Sequence, residues 1–224
     1  MNTQFASFWA SSDAVTHAVF WVLVVMSVLS WTIILFKSWQ LSQLRLRAAS
    51  LTLAFWQATD WQQAMKLLSA IPAFALLAQA GEKGSDWVKQ QTTNTHHLAD
   101  ALPASELMVQ ALRGALSKAN SQLESGQTLL ASVGSTAPFV GLFGTVLGIY
   151  HALMTISSSQ QVALDQIAGP VGEALIMTAL GLFVAIPAVL AYNAFNRQLR
   201  LIAADLDGFA HDLHLYFVSN MRKG

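Results

Sequence analysis

Asp165–Arg197, DQIAGPVGEALIMTALGLFVAIPAVLAYNAFNR, decides how the rest of the chain must fold. Between its terminal charges lie 31 residues, nearly all apolar, with a single acidic side chain, Glu173. A bilayer core is crossed by about 20 apolar residues of helix, so the segment is long enough to span. A carboxylate at that depth costs roughly 2.5–3.5 kcal/mol on insertion scales, which makes a chance occurrence rare. Glu173 therefore has two readings. It is a side chain hydrogen-bonded inside a helix bundle, or a carboxyl that handles protons or ions.

The composition agrees with a membrane protein. Hydrophobic residues make up 54% of the chain and charged ones 11%, with a mean hydropathy of +0.46. Soluble domains carry about 25% charge. Without cysteine, disulfides and thiolate metal sites are excluded. The net charge of zero gives no reason to expect a nucleic-acid partner, and the expected surroundings are a lipid bilayer.

Two further windows can cross. Ala14–Phe36 is free of charge between Asp13 and Lys37, and Ser125–Leu164 holds no formal charge over 40 residues. No Lys or Arg precedes the first window, so it reads as a retained anchor, not a cleaved signal peptide. The spans are then 14–36, 129–156 and 166–196. With them go a 1–13 N-terminal segment, a 37–124 helical domain, a 157–165 loop and a 197–224 C-terminal helix. All 12 Lys and Arg residues fall in 37–124 or after 196. The positive-inside rule makes that face cytoplasmic, with the N-terminus and the 157–165 loop outside. Phe5, Phe8 and Trp9 suit the outer interface and Trp39 the inner one.

The fold expected is all-α: three transmembrane helices with a helical cytoplasmic hairpin domain and long helices extending from the membrane. Helix should continue from the first span through Ser38–Arg47. Leu51–Leu68 repeats its apolar residues at three and four, and Ala73–Gln91 forms a helix after Pro72. Thr92–His97 reads as a turn and Pro103 as a helix start. From Ala104 the helical pattern runs unbroken through Leu130 into the second span.

Gly134, Ala137, Gly141, Gly144 and Gly148 are spaced 3, 4, 3 and 4, on one side of the second span. Ala174, Thr178, Gly181, Ala185 and Ala188 repeat this on the third. Small residues let helix backbones approach closely in lipid, so the two faces predict a tightly packed hairpin. With a 1.5 Å rise per residue, Thr145 and Thr178 lie about 16 and 18 Å from the same membrane surface, and Glu173 about 7 Å further out. On an ideal helix Glu173 and Thr178 differ by about 140°, so they do not point along one line.

Ala137–Leu153, APFVGLFGTVLGIYHAL, and Ala168–Phe195, AGPVGEALIMTALGLFVAIPAVLAYNAF, resemble the MotA/TolQ/ExbB proton-channel family. The likeness is dense over about 60 residues, and Leu147 stands where relatives frequently carry Trp. The resemblance implies a homopentamer of the bacterial inner membrane whose second and third helices surround a pore. Such a pore would hold an ExbD-like single-span partner and work with a TonB-like energy transducer. Together they would couple proton-motive force to outer-membrane uptake of iron chelates and vitamin B12. A TolQ-like role in Tol-Pal envelope maintenance is the alternative. By position in the matched motifs, Thr145, Glu173 and Thr178 correspond to the polar pore residues, while the spacing of the small residues makes Gly134, Gly141, Gly144, Gly148 and Gly181 the helix-packing residues. No cofactor is implied.

An enzyme is not expected. His211 and His214 stand beside Asp207 and Asp212 in a pattern that could suggest a metal, but also suits a solvated helix face. The G-x-S-x-G elbow, P-loop and GxGxxG patterns are absent from the chain.

Overall fold

The computed structural model describes residues 14–91, 103–157 and 165–221. In chain order the helices are α1 (Ala14–Gln57), α2 (Trp61–Leu68), α3 (Pro72–Gln91), α4 (Ala104–Glu124), α5 (Gln127–Ser157) and α6 (Asp165–Met221). No strand occurs among the described residues, and the fold is all-α. Three helical segments are long and apolar enough to cross a bilayer.

Two compact units divide the chain. One comprises Met1–Lys37 and Gly126–Phe195, the other Ser38–Ser125 and Asn196–Gly224. Of all the Asp, Glu, Lys and Arg residues, only Asp13, Lys37, Asp165 and Glu173 belong to the first. We call it the membrane unit and the other the charged unit. The continuous α1 and α6 contribute residues to both.

The membrane unit turns its large apolar side chains outward. Trp21, Val28 and Leu35 on α1, Phe139, Phe143, Val146 and Tyr150 on α5, and Phe183, Ile186 and Leu190 on α6 are all exposed. In water such a surface would aggregate; in a bilayer it is the face that lipid or neighbouring helices cover. The buried residues are smaller on average: Ala137, Ala152, Ala174, Ala185 and Ala188, with Val19, Leu23 and Met177 filling between them.

The charged unit packs in the opposite sense. On α6, Leu199, Ile202, Leu206, Phe209, Leu213 and Phe217 recur at three and four and are buried. Leu41, Leu44, Ala48 and Phe55 on α1 and Met108, Leu112, Ala115, Ala119 and Leu123 on α4 are buried as well. Phe55, Phe74 and Phe209 meet with ring centroids 5.3 Å apart on either side of Phe209.

Two expected continuous helices are broken. The Leu51–Leu68 segment is two helices, because the chain leaves α1 after Gln57 and restarts at Trp61 from an extended Asp60 (φ −133°, ψ 144°). Ala-Thr-Asp at 58–60 suits a helix end followed by a new N-terminus better than a helix interior. The run from Ala104 into the second span is likewise two helices, α4 and α5. Gly126 lies between them at φ +84°, which a residue with a β-carbon adopts only under strain. The Ser125–Gly126 pair was the available sign of a turn. The turn expected at Thr92–His97, residues 1–13 and most of the 157–165 loop lie outside the described residues.

Candidate functional site

The two small-residue faces meet. A β-carbon placed on Gly141 would sit 2.5 Å from the Met177 carbonyl oxygen and 3.0 Å from the Gly181 Cα. One placed on Gly181 would sit 2.6 Å from the Ala137 carbonyl oxygen and 3.0 Å from the Gly141 Cα. Here backbone touches backbone, and only glycine on both helices permits it. The contact continues in both directions along the hairpin. Gly134 faces Val189, Gly148 faces Ala174, and Gly144 packs on Met177 while also receiving Val19 of α1.

One turn beyond Gly141, that closeness brings hydroxyl to hydroxyl. Thr145 Oγ1 lies 2.6 Å from Thr178 Oγ1, 3.1 Å from the Ala174 carbonyl oxygen and 3.2 Å from the Gly141 carbonyl oxygen of its own helix. Its single proton serves one of these acceptors at a time, and Thr178 can donate to it in return. Thr145 is buried, so this network sits inside the α5–α6 contact. The two threonines, placed at similar depth by helical rise alone, are thus in direct contact.

Glu173 occupies the residue before Ala174, whose carbonyl accepts from Thr145, and is half-buried. Ala174, Met177, Gly181, Val184, Ala185 and Ala188 define the inner face of α6. By ideal helix geometry Glu173 and Thr178 flank that face, each about 70° from its centre and on opposite sides. The structure therefore joins Thr145 to Thr178 and leaves Glu173 on the other edge of the same helix. A carboxyl there can meet a group on a neighbouring helix while the threonines hold the hairpin together.

The sequence reading gave Lys37 no role beyond its charge. It is buried at the end of the first span, on the same α1 face as Ser30 and Ile33, the last of which packs on Gly126. The signal available was its position as the first cation after the apolar window. Among the described residues no group of three His, Asp or Glu side chains is placed to hold a metal ion, so His211 and His214 form no such cluster with Asp207 and Asp212.

Residues 81–207 match the MotA/TolQ/ExbB proton channel family. The chain belongs to that family. It is 42% identical over 212 residues to the biopolymer transport protein ExbB of Xanthomonas campestris pv. campestris, covering 93% of this chain and 84% of that one. Against the biopolymer transport protein ExbB of Neisseria meningitidis serogroup B, identity is 40% over 205 residues, covering 92% and 93%. The Tol-Pal system protein TolQ of Pseudomonas aeruginosa is more distant, at 32% over 215 residues, covering 94% and 91%. Within the proton channel family the chain is thus of the ExbB type. With its three apolar helices it is a multi-pass protein of the inner membrane. The matched region holds the whole α5–α6 hairpin contact and Glu173.

Proposed function

We propose that this proton-channel subunit works as a homopentamer around an ExbD-like single-span partner, with Glu173 as its titrating group. It acts as a channel and motor subunit, not as an enzyme. With a TonB-like transducer it would drive uptake of iron chelates and vitamin B12 across the outer membrane. Its N-terminus would be periplasmic and its C-terminus cytoplasmic, an orientation supported by all 12 cations lying on one side of three spans.

The observation that carries this reading is the position of Glu173. It is the one acidic side chain between Asp165 and Arg197, on the edge of α6 opposite the one that carries the Thr145–Thr178 contact. Each proton crossing the membrane potential releases about 2.3 kcal/mol per 100 mV, and a carboxyl at this depth gives it a station on the way. The threonines would keep the helix that bears Glu173 in register against α5.

The test is energy-dependent iron-chelate uptake in cells making each variant at matched levels. Glu173→Gln keeps the size and hydrogen bonding of the side chain but cannot titrate. It should insert normally and lose uptake, and Glu173→Asp should retain partial activity at most. Parental uptake by Glu173→Gln would make Glu173 structural and move the proton path elsewhere. Rescue of a Tol-deficient strain, with none of an Exb-deficient one, would favour the TolQ-like role instead.

A further inference from the structure

The charged unit carries a second feature, lined by none of the residues of the membrane unit. Trp56, Asp212, Leu215, Tyr216 and Ser219 line an open groove of about 460 Å³. Its aromatic walls are held from behind. The Trp56 ring lies 5.0 Å from Phe55 and 6.1 Å from Phe209, in edge-to-face contacts. Tyr216 stacks on Trp61 at 6.0 Å, with the rings 7° from parallel, and meets Phe217 edge-on at 5.3 Å. Trp56 and Tyr216 are themselves 6.0 Å apart, at 66°. Each nevertheless keeps 38% of its surface exposed. Two large rings fixed by their neighbours and still open to solvent make a preorganised contact surface, at little cost in conformational freedom.

Asp212 is the one charged side chain among the residues that line the groove. From Leu201 to Met221, α6 carries Asp205, Asp207 and Asp212 and no Lys or Arg. Asp60 immediately precedes Trp61, the ring that stacks on Tyr216. His211, His214 and Tyr216 are the other titratable groups on this stretch of α6. Aromatic rings attract cations over their faces, and a carboxylate at the rim adds a partner for an N–H donor. An apolar segment would gain nothing from Asp212, whereas a guanidinium can lie against a ring and direct its N–H groups at a carboxylate.

We propose that this groove binds an arginine or lysine side chain presented by a basic segment of a partner polypeptide. Leu215, 54% exposed, supplies apolar contact for the residues beside that cation. The groove residues belong to the charged unit and Glu173 to the membrane unit.

The test uses the full-length protein in nanodiscs, labelled with 5-fluorotryptophan, with the Trp56 resonance assigned by Trp56→Phe. The probe is the peptide acetyl-Gly-Leu-Arg-Leu-Gly-amide, compared with its citrulline counterpart, which has the same shape without the charge. The arginine peptide should shift the Trp56 resonance saturably. The shift should weaken at least about fivefold with citrulline and in Asp212→Asn, an exposed change that leaves the packing intact. No response up to about 5 mM, or an equal response to both peptides, overturns the proposal. So does a Trp56 resonance that moves when Arg222–Gly224 alone are removed, since the chain's own tail would then be the occupant.

Discussion

The membrane unit and the charged unit solve the same packing problem with opposite residues. In the first, helices meet backbone against backbone at Gly141 and Gly181 and through the Ala174 methyl at Gly148, with large side chains facing out. In the second, Phe55, Phe74, Phe209 and Phe217 are buried and the charges face out. The difference lies in the solvent. Water makes burial of a phenyl ring worth about 1.5–3 kcal/mol, so the charged unit gathers its largest side chains inside. Lipid tails are as apolar as leucine, so nothing drives large side chains inward there. What remains is close van der Waals contact and hydrogen bonding, both of which favour small residues.

Gly141→Leu breaks the comparison most severely. The added side chain meets the Met177 carbonyl and the Gly181 backbone, neither of which can turn aside. Overpacking in a core costs about 1–3 kcal/mol where side chains can give, and more is expected here. The hairpin should fail to close, and the protein should run at an altered oligomer size in mild detergent. Normal size and normal uptake would mean that the helices separate there without consequence.

Phe209→Ala tests the other half. Phe209 touches Phe55, Trp56 and Phe74, so its removal leaves a cavity and should cost about 3–5 kcal/mol. The loss should appear as easier proteolysis within the charged unit, while the α5–α6 contact persists. If a cross-link between cysteines introduced at Ala137 and Ala185 is lost as well, the two units do not fold separately.

Thr145→Val sharpens the contrast with the smallest effect. Interhelical hydrogen bonds in membrane proteins are worth about 0.6 kcal/mol on average and about 1.7 at most. The near-isosteric valine should therefore leave assembly almost intact, with a stability loss within that range by denaturation in detergent. A loss as large as that of Gly141→Leu would show that the hydroxyl pair, not the glycine contact, holds the hairpin.

Much of this was readable along the chain. Apolar run lengths and the distribution of charge are one-dimensional quantities, so three spans and the isolation of Glu173 follow from counting. The 3, 4, 3, 4 spacing of glycine and alanine placed each stripe on one helix side, because the helical period is constant. Depth along a helix is also arithmetic, which is why Thr145 and Thr178 were expected at one level. Helix ends were harder to read. Asp60 and Gly126 act through local φ and ψ, and periodicity passes over a break that leaves the apolar spacing in phase.

The sequence alone determined an all-helical membrane chain, its one deep carboxylate and the family to which its motifs point. Tertiary structure decided which faces touch. The Gly141–Gly181 crossing, the 2.6 Å pairing of two hydroxyls 33 residues apart and the clamping of Trp56 and Tyr216 depend on the packing of separate helices. A periodic pattern specifies the direction in which a side chain leaves its own helix. Its partner on another helix is set by crossing angle and axial offset, which emerge only when both surfaces are packed together.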